Sequence, residues 1–325
     1  MSNSKIKVGI IGAAGYTAGE LLRILLDHPD ATIAFAHSSS NAGAPVWKVH
    51  ADLAGDTDLI FSDRMPEEPD VLFLCSGHGK SKSFLAGAGL SGKVKIIDLS
   101  TDFRIKGEGN DFVYGLPELN KAEIAGADKV ANPGCFATAI QLALLPLAKE
   151  GLLQDEVHIN AITGSTGAGQ EQTLTSHFSW RQNNISIYKP FQHQHLTEIG
   201  QSLRQLQPGF DKNLNFIPVR GNFARGIFAS VYTRSDLNEN ELSDLFNGYY
   251  EEAAFTVVTP ENPSLKQVVN TNKCILHVEK HGDKILMVSA IDNLLKGASG
   301  QAVQNMNLMF GLSEGAGLRL KAIAF

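Results

Sequence analysis

The chain has 325 residues, 43% hydrophobic and 19% charged, which is typical of a folded globular protein and long enough for two domains. Its formal net charge of −6 argues against nucleic acid as a main partner, because backbone phosphates need a basic face. The N-terminus lacks a signal-peptide pattern, and no apolar run reaches the roughly 18 residues of a membrane span. We therefore expect a cytoplasmic protein without membrane contact.

Short apolar runs alternate with helical patterns in the first part of the chain, which is typical of βαβ units around a parallel sheet. An apolar helix follows from Ala137 to Glu150, and Pro146 is expected to kink or end it. The elements predicted before it are strands at Lys5–Ile11, Ala31–His37, Asp70–Cys75 and Val94–Leu99, and a helix at Thr17–Leu26.

The later part of the chain has less regular spacing, which favours a mixed or antiparallel sheet. The predicted elements are strands at Val157–Thr163, Asn215–Pro218, Gly226–Tyr232, Lys273–Glu279 and Ile285–Ile291, and helices at Asn238–Ala254 and Gly300–Phe310. We expect an α/β domain with a parallel sheet over residues 1–134 and 297–325. An α+β domain with a mixed sheet is expected over residues 135–296.

A glycine turn follows the first predicted strand. Gly9, Gly12 and Gly15 allow a tight turn and close approach of the backbone to a pyrophosphate at the start of the next helix. Tyr16 and Thr17 begin that helix, and Thr17 is expected to cap it. A glycine turn without a ligand has the same pattern, so the strand before it and the helix after it favour dinucleotide binding.

The loop after the second strand indicates which dinucleotide is preferred. An NAD-selective site usually carries a carboxylate there, whereas this loop places Ser38, Ser39 and Ser40. Serine hydroxyls can accept the 2′-phosphate of NADP, which a carboxylate would repel, although an ordinary polar loop has the same composition. Ser76 and Gly77 end a later strand and are expected to border the same cofactor.

The chain has three cysteines, an odd number that argues against a disulfide framework, and no Cys/His cluster has the spacing of metal ligands. Cys75 and Cys274 lie in strand patterns and are expected to be packed. Cys135 follows a Pro-Gly turn and opens the apolar helix, where the helix dipole favours a reactive thiolate. Its amides can also stabilise an oxyanion. A small buried residue at a helix start is the alternative on local context alone.

Several motifs together resemble the N-acetyl-γ-glutamyl-phosphate reductase family. Asn132-Pro-Gly-Cys135 is similar to its active-site motif, and the aspartate-semialdehyde dehydrogenases resemble these segments less. The other matching segments are Gly12–Thr17, Asp98–Arg104, Tyr114–Asn120, Asp292–Gly297 and Gly300–Phe310. The resemblance implies an NADP-dependent oxidoreductase of arginine biosynthesis that reduces an acyl phosphate to a semialdehyde through a thioester on Cys135. It also implies that the first domain is an α/β Rossmann-type NADP-binding domain and that the second is an α+β substrate-binding and dimerisation domain.

The resemblance also implies a histidine as the acid/base. His195 is assigned this role in the segment from His193 to Glu198, with His193 in reserve. Glu198, one helical turn further, is expected to orient His195 or to meet the substrate. Without the resemblance, two surface histidines before a helix would be the simpler interpretation.

The remaining expected contacts involve the substrate anions and the nicotinamide. Arg104 resembles a family substrate or phosphate contact, and Arg220 and Arg225 together form another plausible anion position. Each arginine can instead form a surface ion pair. The further expected contacts are Asn132 and Ser165 for the substrate, and Gly167 and Asn293 for the cofactor.

The sequence departs from the family pattern at a few positions around the expected acyl pocket. Gln194 replaces an arginine, Leu196-Thr197 replaces Thr-Pro, and Phe136-Ala137 replaces Tyr-Pro. A different N-acyl group, such as succinyl, would be one consequence. Three alternatives therefore stay open: an N-succinyl substrate, another acyl-phosphate semialdehyde dehydrogenase, and an NADP-binding sensor without turnover. A homodimer or homotetramer is expected.

Overall fold

The computed structural model describes residues 5–324, which divide into two compact units. The first unit contains the chain up to Pro133 and the returning segment Ala298–Arg319. The second contains Gly134–Gly297 and the chain after Arg319. The first boundary falls one residue from the expected position. The last residues differ from expectation, because Lys321 O accepts a hydrogen bond from Asn270 Nδ2, and Ala324 N donates to Lys266 O in the second unit.

The first unit is built on a parallel sheet, as the alternating pattern predicted. Its strands are β1 Ile6–Ile11, β2 Ala31–His37, β3 Phe61–Ser62, β4 Val71–Leu74, β5 Lys95–Asp98, β6 Val113–Tyr114 and β7 Lys129–Ala131. They are ordered β3-β2-β1-β4-β5-β7-β6, and each neighbouring pair is parallel. Strand β4 is buried throughout because helices cover both faces of such a sheet.

The helices of the first unit are α1 Tyr16–Leu26, α2 Ser81–Gly87, α3 Pro117–Ala125 and, numbered along the whole chain, α8 Gly300–Met309. Helix α8 follows a π-helical turn, Leu295–Ser299, and packs against α1, α3 and β5. Its residues are all buried, including several amides. These amides brace the unit: Asn305 Nδ2 donates to Gly115 O, and Asn307 Oδ1 pairs with the ring of His28.

The second unit contains a mixed sheet. Its strands are β8 Val157–Thr163, β9 Ser186–Ile187, β10 Leu214–Arg220, β11 Ile227–Arg234, β12 Thr256–Val258, β13 Cys274–His281 and β14 Lys284–Ile291. Their order is β12-β13-β14-β11-β8-β10-β9. The pairs β8–β10 and β12–β13 are parallel, and the other pairs are antiparallel. The expected combination of a Rossmann-type unit and a mixed-sheet unit is confirmed.

Helices α4 Cys135–Lys149, α5 Phe178–Arg181, α6 His195–Leu206 and α7 Glu239–Tyr250 complete the second unit. Helix α4 packs on β11, β13 and β14 and against α6 and α7. Its residues from Phe136 to Ala148 are all buried, so its apolar composition reflects a helix surrounded by protein.

Pro146 was expected to kink or end α4, and it does not end the helix, which continues to Lys149. Proline has no amide hydrogen, so the carbonyl of Leu142, four residues earlier, loses its helical donor. The hydroxyl of Tyr250, at the end of α7, donates to that carbonyl instead. A side chain from another helix therefore replaces the missing bond, and the helix proceeds.

No helix among residues 5–324 is long and apolar enough to cross a membrane.

Replacing Tyr250 by Phe should lower the free energy of unfolding by about 1–3 kcal/mol, because the buried Leu142 carbonyl would lose its donor. Urea unfolding followed by circular dichroism measures this change. Tyr249→Phe is the matched control, because Tyr249 is half-buried and its ring lies under Lys149 Nζ. Equal stability of the Tyr250→Phe variant and the wild type would contradict the role of this bond.

Candidate functional site

The predicted nucleotide turn joins β1 to α1. Gly12 has a φ of 78°, and a Cβ placed on it would lie 2.8 Å from the backbone of Cys75 and Ser76. Only glycine fits this position. Gly15 occupies the N-cap of α1 with extended backbone, and a Cβ there would meet only Gly12 O at 3.7 Å. The turn thus brings its backbone to the amide end of α1, a position suited to phosphate oxygens.

Thr17 does not cap α1, contrary to the sequence expectation, because the helix begins at Tyr16 and Gly15 holds the cap position. The hydroxyl of Thr17 instead hydrogen-bonds the thiol of Cys75. Burial raises the pKa of Cys75 to about 12, and the bond to Thr17 only partly opposes this effect. Cys75 is therefore a neutral, partly exposed thiol, whereas Cys274 is fully buried in β13.

The serine loop after β2 forms one 3-10 turn, Ser39–Asn41. The amide of Asn41 donates to the hydroxyl oxygens of Ser38 and Ser40, at 3.1 Å each. Ser38 is buried, whereas Ser39 and Ser40 are exposed. Ser76 and Gly77 follow β4, and Gly77 has a φ of 87°. The loop is suited to bind a phosphate, because hydrogen bonds hold the hydroxyls of Ser38 and Ser40 in place and the loop has no carboxylate.

Cys135 is the first residue of α4, and Gly134 is its N-cap. The backbone amide of Gly134 donates to Oε2 of Glu198 at 3.0 Å. Thr138 closes the first turn, since its amide and its hydroxyl both donate to Gly134 O, at 2.8 and 3.1 Å. The thiol therefore stands at the positive end of the helix dipole.

His195 is the first residue of α6 and lies against Gly134. A Cβ placed on Gly134 would be 2.3 Å from His195 Nε2, so the glycine makes room for the imidazole. Oε1 of Glu198 is 3.8 Å from the same nitrogen. The buried Glu198 carboxylate therefore contacts both the turn before Cys135 and the imidazole that sequence reasoning paired with it.

His193 has a different environment from His195. Its ring is buried in an aromatic cluster, with ring centroids 5.5 Å from Phe136, 5.4 Å from Phe216 and 5.8 Å from Tyr188. Burial, reinforced by the charge of Lys189, lowers the pKa of His193 to about 4. Its Nδ1 accepts the amide hydrogen of His195 at 3.3 Å. His193 is thus a neutral acceptor at the start of α6, and this favours His195 as the acid/base.

Gly297 also contacts the nucleophile position, because a Cβ placed on it would lie 2.8 Å from Cys135 Cβ. The amide of Gly297 donates to Asp292 O. The fully buried Asp292 carboxylate accepts from the amides of Leu294 and Leu295 and pairs with Arg225 at 3.0 Å. Arg225, expected to bind substrate, therefore neutralises a buried carboxylate that shapes the turn beside Cys135.

The glycine-rich loop after β8 is held by side chains of its own unit. Asn293 Oδ1 accepts from Gly226 N at 2.7 Å, and its Nδ2 donates to Thr166 Oγ1 at 3.0 Å. Asn293, expected to contact nicotinamide, thus ties two loops together. Ser165 is half-buried, and Gly167, its neighbour in the loop, is exposed.

Arg104 and Asn132 lie in the first unit and are almost fully buried. Arg104 donates to the main-chain oxygens of Asn132 and Leu99, at 2.9 and 2.8 Å. The Asn132 carboxamide donates to Ala298 O and accepts from Asn305 Nδ2. These contacts brace the segment that leads to Cys135, so a substrate role for either side chain is a proposal without support from these bonds.

Two residues near the nucleophile escaped the sequence assignment or were ranked low in it. Tyr188 joins the aromatic cluster, and the guanidinium carbon of Arg220 lies 4.6 Å from the centre of its ring. Tyr188 follows the two-residue strand β9, which gives no sequence signal. Arg220, the last residue of β10, stood beside Arg225 with nothing in the pattern to rank one above the other.

The sequences of both units match models of known protein families. Residues 7–127 match the family model described as semialdehyde dehydrogenase, NAD binding domain, and residues 135–293 match its dimerisation domain. N-acetyl-gamma-glutamyl-phosphate reductases from Parabacteroides distasonis and Azobacteroides pseudotrichonymphae are 59% and 61% identical, each over 98% of this chain and 100% of the relative. The chain belongs to the N-acetyl-γ-glutamyl-phosphate reductase family. The resemblance predicted from the motifs is thereby confirmed.

Solved structures share the fold of this reductase-family chain at much lower identity. Aspartate semialdehyde dehydrogenase II from Vibrio cholerae, complexed with ASA, has a TM-score of 0.73 at 16% identity, covering 95% of this chain and 99% of that one. The Candida albicans aspartate semialdehyde dehydrogenase with NADP has a TM-score of 0.67 at 15% identity, covering 94% and 99%. Among the described residues of this chain, no group of three or more His, Cys, Asp or Glu side chains is arranged to hold a metal ion.

The buried His193 should make the protein less stable in acid. Its pKa is about 4 in the folded chain and about 6.5 when unfolded, so the unfolded chain binds the extra proton between these values. The burial of His193 therefore leaves the free energy of unfolding unchanged above about pH 6.5 and lowers it as the pH drops toward 4. His193→Asn should reduce the loss of unfolding free energy between pH 7 and pH 5 by about 1–2 kcal/mol.

Urea unfolding at the two pH values measures this effect. The control His177→Asn should follow the wild-type curve, because that ring is exposed and hydrated in both states. If His193→Asn loses as much unfolding free energy between pH 7 and pH 5 as the wild type, then burial does not hold the ring of His193 neutral.

Proposed function

We propose that the chain reduces N-acyl-γ-glutamyl phosphate to N-acyl-glutamate 5-semialdehyde and phosphate, with NADPH, in arginine biosynthesis. The observation that carries the proposal is the packing of Cys135, His195 and Glu198 around Gly134 at the start of α4. It places a thiol, an imidazole and helix amides in one small region. The names and identities of the relatives support the same reaction.

The first chemical step uses the thiol. The Cys135 thiolate attacks the γ-acyl carbon, a sulfur–carbon bond forms, and the carbon–oxygen bond to phosphate breaks with the electron pair leaving on phosphate. Backbone amides at the start of α4 stabilise the negative charge that develops on the carbonyl oxygen. His195 accepts the thiol proton, and Glu198, 3.8 Å from Nε2, stabilises the imidazolium that results.

Reduction of the thioester needs a cofactor. When bound at the nucleotide turn, NADPH would supply the hydride that reduces the thioester carbon. His195 gives its proton to the oxygen of the thiohemiacetal and takes it back as the carbon–oxygen double bond forms again. The sulfur–carbon bond breaks with its electron pair on sulfur, which releases the aldehyde and regenerates the thiolate. Glu198 keeps its contact with the Gly134 amide throughout, so the sulfur is presented from the same backbone position in both steps.

The first unit fits a dinucleotide. The turn at Gly12 and Gly15 exposes the amide end of α1 for the pyrophosphate, and a side chain on Gly12 would collide with the backbone of Cys75. Tyr16 and Thr17 would lie beside it, and Ser76 and Gly77 would border the nicotinamide half. The hydroxyls of the loop from Ser38 to Ser40 would hold the 2′-phosphate that distinguishes NADP from NAD.

Oligomerisation belongs to the same proposal. Large apolar side chains stand on the surface of the second unit, the part that matches a dimerisation domain. They are Leu174, Phe178, Ile185, Ile187 and Phe191, with exposures between 58% and 88%. We propose a cytoplasmic homodimer or homotetramer that buries this patch.

The double variant Leu174→Asp with Phe178→Asp should dissociate into folded monomers, because burying two carboxylates in an apolar contact costs several kcal/mol. Size-exclusion chromatography with light scattering measures the mass. Ile60→Asp, which changes an exposed residue of the first unit, is the control and should keep the wild-type assembly. A monomeric wild type, or an unchanged mass in the double variant, would refute this surface.

Cys135→Ser should retain NADP affinity and lose at least about 1,000-fold in turnover, because serine is a far weaker nucleophile at neutral pH. NADP reduction is followed spectrophotometrically with phosphate and N-acetyl- or N-succinyl-glutamate 5-semialdehyde, side by side. This pair of substrates also identifies the preferred N-acyl group. Cys75→Ser is the matched control and should keep its activity.

His195→Asn should also lose most of its turnover, whereas His193→Asn should keep substantially more. The proposal fails if Cys135→Ser remains fully active, or if mass spectrometry finds the acyl adduct on another side chain. The sensor alternative predicts NADP binding with no turnover in any variant.

A further inference from the structure

Arg220 lacks a carboxylate partner although it is partly buried. No Asp or Glu side chain lies within salt-bridge distance of its guanidinium in the described part of the chain, and its Nε is buried without a hydrogen-bond acceptor. The guanidinium instead stacks on the ring of Tyr188, with its central carbon 4.6 Å from the ring centre. A buried cation without a counter-charge is costly, and a site of this kind is stabilised when an anion binds.

A second arginine adds to this positive charge. Arg181 is buried, and its Nη1 donates to the main-chain oxygen of Arg220 at 3.1 Å. Its other donors bind Thr175 O, and no carboxylate among residues 5–324 pairs with it. Burial and the nearby charge of Arg220 lower the pKa of Arg181. Two guanidinium groups therefore share one region without compensation.

This positive region adjoins the proposed nucleophile through Tyr188. Burial raises the pKa of Tyr188, the negative charge of the Cys135 thiolate raises it further, and the nearby Arg220 opposes both effects. The ring of Tyr188 also lies 5.8 Å from that of His193, which in turn lies 4.6 Å from that of His195. Cys135 and Arg220 therefore both lie close enough to Tyr188 to influence the pKa of its phenol, which places the cation in the same part of the second unit as the reacting sulfur.

The other arginines expected to bind substrate are already engaged. Arg225 neutralises Asp292, and Arg104 donates to main-chain oxygens. We propose that Arg220, held by Tyr188 and reinforced by Arg181, is the receptor for an oxyanion of the acyl-phosphate substrate. The fork of a guanidinium suits both phosphate and carboxylate oxygens, and the substrate carries both groups. The inference rests on the proposed function.

The reverse reaction tests the inference, because phosphate and the semialdehyde carboxylate then enter as separate substrates. Arg220→Gln should raise the KM of one of them by roughly 10- to 100-fold, the size expected for a lost charge-assisted bond. A rise for phosphate assigns the phosphate group to Arg220, and a rise for the semialdehyde assigns the carboxylate. Arg220→Lys should show a smaller rise, because it keeps the charge and loses the fork.

Arg234→Gln is the matched control, since Arg234 is an exposed arginine that lies beside Asp155 and Asp283. Its KM values should equal those of the wild type. Thermal unfolding of every variant separates binding from folding defects. A stable Arg220→Gln protein with both KM values within two-fold of wild type would overturn the inference.

A second readout does not depend on turnover. Phosphate, or the semialdehyde used as a carboxylate probe, should slow alkylation of Cys135 by iodoacetamide in the wild type. Arg220→Gln should lose the protection that comes from whichever anion it binds. If no semialdehyde is turned over, the proposed function fails, while this protection still reports whether Arg220 binds an anion near Cys135. Equal protection by both probes in wild type and variant would refute the receptor.

Discussion

The hydrogen bond from the Gly134 amide to Glu198 is the contact on which the proposed chemistry depends. It ties the N-cap of α4 to the first turn of α6, so the helix that carries Cys135 and the helix that carries His195 have a fixed relation. The carboxylate accepts the hydrogen of the cap amide, and the amides of the first helical turn have no acceptor within the helix itself. One buried acid thereby orients a nucleophile and a base together.

Buried polar groups organise the surroundings of this contact. Asp292, fully buried, accepts from Arg225 and from backbone amides, and its main chain positions Gly297 against Cys135. Burying a carboxylate is tolerated only when most of its acceptor sites are used, as they are here. Arg220 has no such compensation, and this contrast separates the structural role of Arg225 from the anion-binding role proposed for Arg220.

Periodicity predicted the regular elements well, because β8 and β2 begin and end at the residues read from the sequence. Short elements such as β9 were not predictable, since two residues carry no period. The continuation of α4 through Pro146 depends on Tyr250, which is distant in sequence. The motif residues Cys135 and His195 could be named from their context. The partners of Arg225 and Arg104 could not be predicted from the sequence, because the fold decides which groups lie around a guanidinium.

The support that Tyr250 gives to α4 has a consequence for protein engineering. The segment from Cys135 to Lys149 carries an internal proline, and its backbone is complete only with a hydroxyl supplied by α7. The segment by itself therefore lacks one of the hydrogen bonds that complete its backbone. Transplanting this thiol-bearing helix into another scaffold would require a matching donor at the Leu142 carbonyl, or a replacement for the proline itself.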